Sequence, residues 1–178
     1  MSTNLADLYL FSTVATGCLF TASLIFKVRN FPQFLRTIDR FQLLPQFLTL
    51  PTAVMIIAAE VIVLVSLIKC RLLAFSLSSS LLLVFTIAFC TLLTRRIQIS
   101  CNCFGGQQHP VTSIEILRNS GFLLFSFCGL WLSTKFSVDA ILSSKDSGIV
   151  WLAAIASTLT WINIGEVYHA LRLNKSIN

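Results

Sequence analysis

The 178-residue chain is 56% hydrophobic and only 11% charged, with a mean hydropathy of +0.84. Soluble domains carry about a quarter charged residues, so this composition excludes an ordinary soluble enzyme and defines an integral membrane protein. The net charge of +6 is no nucleic-acid signal, because the basic residues sit at the ends of apolar runs, where they anchor and orient spans. A lipid bilayer is the expected surrounding. No repeat, low-complexity stretch or separate soluble domain interrupts the sequence, so residues 1–178 read as one membrane domain.

The first apolar run, Leu8 to Phe26, is long enough to cross roughly 30 Å of hydrocarbon. It is not read as a secretory signal, since Asp7 stands where a basic segment belongs and no small-residue cleavage site follows. Lys27 and Arg29 end it, and Pro32 is expected to keep the exit extended. Residues 33–44 differ in kind. Phe34, Leu35, Ile38, Phe41 and Leu44 recur at helical spacing opposite Arg36, Asp39 and Arg40, the pattern of an amphipathic interfacial helix, closed by Pro45.

A second span is expected over 50–68, with Pro51 in its first turn, and a third over 72–93, closed by Arg95 and Arg96. Only Lys69, Cys70 and Arg71 join them, so they must be antiparallel neighbours. A fourth span covers 114–132 and a fifth 149–171, separated by a Ser/Lys/Asp-rich loop. The expected fold is therefore an all-α integral membrane protein: an antiparallel bundle of four to five transmembrane spans plus a short amphipathic helix. With five spans, one side collects Lys27, Arg29, Arg36, Arg40, Arg95, Arg96, Arg118, Arg172 and Lys175, against Lys69, Arg71, Lys135 and Lys145 on the other. Nine against four makes the first side cytoplasmic.

Between the third and fourth runs lies a polar break, Ile99-Ser100-Cys101-Asn102-Cys103-Phe104-Gly105-Gly106. Two cysteines one residue apart can close a small, strained disulfide, and strain makes a disulfide easier to reduce. The glycines let the chain turn sharply behind the thiols. Arg95 and Arg96 upstream favour the thiolate that exchange requires. Cys101 and Cys103 are thus the candidate redox pair. A metal reading has less support: with His109 they give three soft ligands where structural zinc wants four, though copper(I) can use two thiolates. No metal or cofactor is expected.

The remaining cysteines read as buried apolar residues (Cys18 and Cys128) or as residues near a span end (Cys70 and Cys90), with Cys90 on the thiol side and a candidate relay partner. Glu60 falls in the middle of the second span, where a carboxyl is costly and is either paired or functional. Two roles stand open for it: proton relay or polar anchor, with Asn163 one candidate contact. Glu166 and His169 read as interface residues. No phosphate loop, dinucleotide fingerprint, zinc-protease helix or hydrolase elbow is present.

Taken in order, Lys27, Phe31 to Phe34, Phe41-Gln-Leu-Leu-Pro45, Glu60, Cys101-Asn-Cys-Phe-Gly105 and Arg118-Asn119 resemble the MauE family of methylamine-utilisation membrane proteins, within the wider MauE/DoxX-like group of redox-associated membrane proteins. The resemblance covers roughly residues 17–130. Phe41 departs from the family's tyrosine, which removes a hydroxyl and keeps the aromatic packing. The resemblance implies a multi-pass protein of the bacterial inner membrane that supports formation of active methylamine dehydrogenase, whose small subunit is rich in disulfides. Such a role uses thiol–disulfide chemistry or electron supply, with a thioredoxin-like protein or another disulfide-containing client as partner. That maturation occurs outside the cytoplasm, whereas the charge count places the thiols inside. Two other classes remain open at this point. One is a non-catalytic scaffold holding a thioredoxin-like partner through residues 33–48. The other is a small-solute transporter, which the lack of helices broken at mid-depth disfavours.

Overall fold

The computed structural model describes residues 2–41, 45–95, 113–135 and 147–164, and every regular element among them is helical. Six helices follow in chain order: α1 (Ser2–Arg29), α2 (Phe31–Arg40), α3 (Gln46–Lys69), α4 (Arg71–Thr94), α5 (Ser113–Ser133) and α6 (Ser147–Ile162). Four of them, α1, α3, α4 and α5, are long and apolar enough to cross a membrane; α6 is apolar but shorter over its described length. The protein is a multi-pass helical membrane bundle. The expected continuation of the last span to residue 171 lies outside the described residues.

The helices outrun their apolar runs because polar residues at their ends keep helical geometry, which costs little in water. Two prolines are placed differently from the sequence expectation. Pro32 does not hold an extended exit; it occupies the first turn of α2, and Asn30 alone separates α1 from α2. Its fixed φ suits a first turn, where no N–H is required. Pro51 lies inside α3, because Pro45 caps that helix with extended backbone (ψ 149°) and the helix begins at Gln46. Pro51 therefore removes the bond that the Phe47 carbonyl would accept, close to the helix end.

Helix α1 is the hub, packing on α2, α3, α5 and α6, while α4 packs on α3 and α5. The amphipathic pattern of α2 is realised against the bundle. Phe34 and Ile38 pack on Ala53 of α3, with Phe31, Leu35, Ile56 and Ile57 around them, and Arg36, Asp39 and Arg40 are exposed. Between α3 and α4 only Cys70 is non-helical, which forces the hairpin that the short connection required. Near the described end of α6, the Trp161 indole N–H donates to the Arg118 carbonyl at the start of α5 (3.0 Å). Gly121 permits that approach: a methyl group there would meet the indole at 2.6 Å. The C-terminal ends of α1, α4 and α6 and the N-terminal ends of α3 and α5 thus share one side of the bundle. Residues 96–112, which include Cys101 and Cys103, connect two of those ends.

Candidate functional site

Glu60 projects from the middle of α3 into the bundle and is 1% exposed. It faces helices and not lipid, as the cost of an unpaired carboxyl in hydrocarbon demands. Its partner is Lys27 of α1, itself 2% exposed, whose Nζ pairs with Glu60 Oε1. The Ser23 hydroxyl, one helical turn back on α1, donates to the same oxygen at 3.0 Å. The ammonium also sits near the faces of Phe34 (5.3 Å from the ring centroid) and Phe85 (5.0 Å). Ring quadrupoles stabilise a desolvated cation at such distances. The carboxylate and two aromatic faces together compensate the desolvation of Lys27, and the Ser23 hydroxyl helps compensate that of Glu60.

Glu60 Oε2, by contrast, has no hydrogen-bond partner among the described residues. Glu60 lines a cavity of about 40 Å³ whose wall also includes Ser23, Lys27, Phe20, Phe85, Phe89, Arg118 and Asn119. That volume accommodates about two water molecules. Arg118, near the start of α5, pairs with Glu115 one turn before it and reaches the Ile162 carbonyl at 3.5 Å. Asn119 donates to the Leu82 carbonyl (2.9 Å) and the Thr86 hydroxyl (2.7 Å) of α4. Four helices therefore contribute polar groups or aromatic walls to one cavity, which Lys27, Glu60 and Arg118 line, with Arg118 paired to Glu115 beside it.

Several sequence readings change here. Lys27 does not anchor the end of the first span, and Arg118, within the expected fourth span, does not face outward as an orienting charge. Both are buried, so neither counts toward the charge asymmetry that orients the protein. Asn163 does not meet Glu60: it is exposed, and its amide donates to the Leu159 carbonyl of its own helix at 2.8 Å. Cys90 is exposed on α4 along with Val84 and Ile87, on the outward face and away from the cavity. Cys70 is exposed at the opposite end, and Cys18 and Cys128 are half-buried; all four are free thiols. The expected redox pair, Cys101 and Cys103, together with Arg96, His109, Glu166 and His169, lies outside the described residues. Among the described residues no cluster of metal-ligating side chains occurs.

Fold and site together define a polytopic helical membrane protein organised around an intramembrane Lys–Glu pair. The family profile described as methylamine utilisation protein MauE matches residues 5–132, a stretch that includes Lys27, Glu60, Arg118 and the Cys101–Cys103 segment. A curated relative, the methylamine utilization protein MauE of Paracoccus denitrificans, is 30% identical over 167 residues, covering 89% of this chain and 87% of that protein. No solved structure matches. The chain belongs to the MauE family of membrane proteins linked to methylamine utilisation.

Proposed function

We propose that this protein supports thiol–disulfide chemistry at the membrane during maturation of methylamine dehydrogenase or another disulfide-containing client. Cys101 and Cys103 form the redox pair in this reading, and the membrane is the bacterial inner membrane, crossed five times. One thiolate of the pair attacks a client or thioredoxin-like disulfide, releasing one partner sulfur as thiolate, and the second thiolate resolves the mixed disulfide. Two electrons pass to the partner, and the Cys101–Cys103 disulfide forms. The reverse sequence oxidises a client dithiol. Protons must move in step, because each thiolate is generated or quenched by one proton.

The observation that supports the reading is the position of the Lys27–Glu60 enclosure. It lies near the bundle end where α4 finishes and α5 begins, the two helix ends joined by the segment that carries both thiols. Glu60, which lines the cavity and keeps one oxygen without a hydrogen-bond partner among the described residues, is the residue assigned to proton relay. Alkylation of Cys101 and Cys103 before and after reduction measures whether they cycle. Cys101→Ser and Cys103→Ser are each expected to abolish client maturation while the protein still accumulates in the membrane. Maturation that survives both substitutions rejects the redox role and leaves the scaffold alternative, in which changes along residues 33–48 are the damaging ones.

A further inference from the structure

A second polar feature lies on the outside of the same bundle end. Arg29, the last residue of α1, and Arg36 and Arg40, one helical turn apart on α2, line a groove of about 550 Å³ together with Asn30, Gln33 and Thr37. All three arginines are exposed, and none is paired with a carboxylate among the described residues. Asp39 is exposed on α2 but is not part of the groove wall. The groove cannot dissolve by rotation of α2, because Phe34 and Ile38 on the opposite face are seated on α3. Three arginines thus line one groove with no paired carboxylate among the described residues.

We infer that this groove binds the headgroup of an anionic phospholipid. Its depth in the membrane carries the choice of ligand. Arg29 closes an apolar span of 25 residues, Leu5–Arg29, so the groove begins where hydrocarbon ends and lipid phosphates lie. Guanidinium forks match phosphate oxygens in two-point hydrogen bonds that a lysine cannot reproduce. A zwitterionic headgroup brings its own cation, whereas an anionic one leaves its charge for the arginines; basic residues at this level each favour anionic lipid about fivefold. The volume admits a phosphodiester and its glycerol. This site is separate from the Lys27–Glu60 enclosure and does not depend on the thiol chemistry.

The test is native mass spectrometry of the full chain released from vesicles of phosphatidylcholine containing a minor fraction of phosphatidylglycerol. Wild-type protein is expected to carry phosphatidylglycerol well above its share of the bilayer. Arg29→Gln, Arg36→Gln and Arg40→Gln should each lower that enrichment about fivefold, and the triple variant should abolish it. Lys69→Gln, at the opposite end of the bundle, should leave it intact. Circular dichroism of the triple variant checks that the helices persist; should it misfold, loss of wild-type enrichment at high salt serves in its place. Equal enrichment in wild type and the folded triple variant, or a salt-independent enrichment, overturns the inference. So does displacement of the lipid by inorganic phosphate at low concentration, which would make the groove a site for the free anion.

Discussion

The two halves of this bundle solve the membrane packing problem in opposite ways. In the half toward the N-terminus of α1, small residues let helices approach closely. Ala15 and Ala74 are fully buried, Tyr9 stacks obliquely on Phe75 with centroids 5.9 Å apart, and Gly129 accepts the Phe75 ring against its backbone. The Ser78 and Ser126 hydroxyls join α4 to α5 at 3.2 Å. Such interfaces are driven by packing, since lipid gives no hydrophobic reward for association. In the other half an ion pair stands where a methyl group would pack better. Aromatic rings surround it, and a cavity remains beside Glu60. One half holds the bundle together; the other spends stability to keep charges and space inside it.

The strongest way to break this contrast is to unpair the charges. Lys27→Ala or Glu60→Ala leaves a buried ion without its partner and should cost about 3–5 kcal/mol, read as the loss of folded protein in a detergent unfolding titration. The double change Lys27→Met with Glu60→Leu should recover most of that stability, because no charge is then stranded. Next in size are the glycines of the packed half and its border. Gly129→Ala forces a methyl into the Phe75 ring, and Gly121→Ala displaces Trp161 from the Arg118 carbonyl. Each should cost about 1–3 kcal/mol, and the second should also shift tryptophan fluorescence. Asn119→Leu, which removes both hydrogen bonds to α4, should cost about 1 kcal/mol, as polar contacts between membrane helices usually do. Ile87→Ala on the outward face of α4 should change stability by about 0.5 kcal/mol or less. A large loss there would mean that this face is covered by a partner.

Much of this was legible in the sequence. The apolar runs located the membrane helices, the three-residue Lys69-Cys70-Arg71 link fixed α3 against α4, and the mid-span position of Glu60 marked it as paired or functional. Its partner was harder to see. Lys27 stands two residues from Arg29 at the end of an apolar run, the usual place for an anchor, and so its inward direction was missed. A signal did exist: Thr16, Phe20, Ser23 and Lys27 recur at helical spacing, all buried, which places Lys27 on the same stripe as two hydroxyls. Arg118 reads in the sequence only as an orienting charge and, with Asn119, as a landmark of the family resemblance. Their packing depends on α4 and α6 arriving from distant parts of the chain, which local periodicity cannot reveal. The helix ends were misjudged for another reason, since a helix continues past the hydrocarbon boundary at little cost.

In the proposed function the Lys27–Glu60 pair serves proton movement for the thiols and is not merely a strut. The direct measurement is the rate at which Cys101 and Cys103 cycle between thiol and disulfide in a Lys27→Gln/Glu60→Gln variant, followed by alkylation trapping in membranes that contain the client. Both side chains remain polar and similar in size, so the bundle should stay folded. The account predicts that cycling slows by roughly a hundredfold or more, the usual scale for loss of a positioned acid or base, and that client maturation falls with it. A folded variant that cycles its thiols at the wild-type rate would contradict the account and reduce the pair to a structural contact.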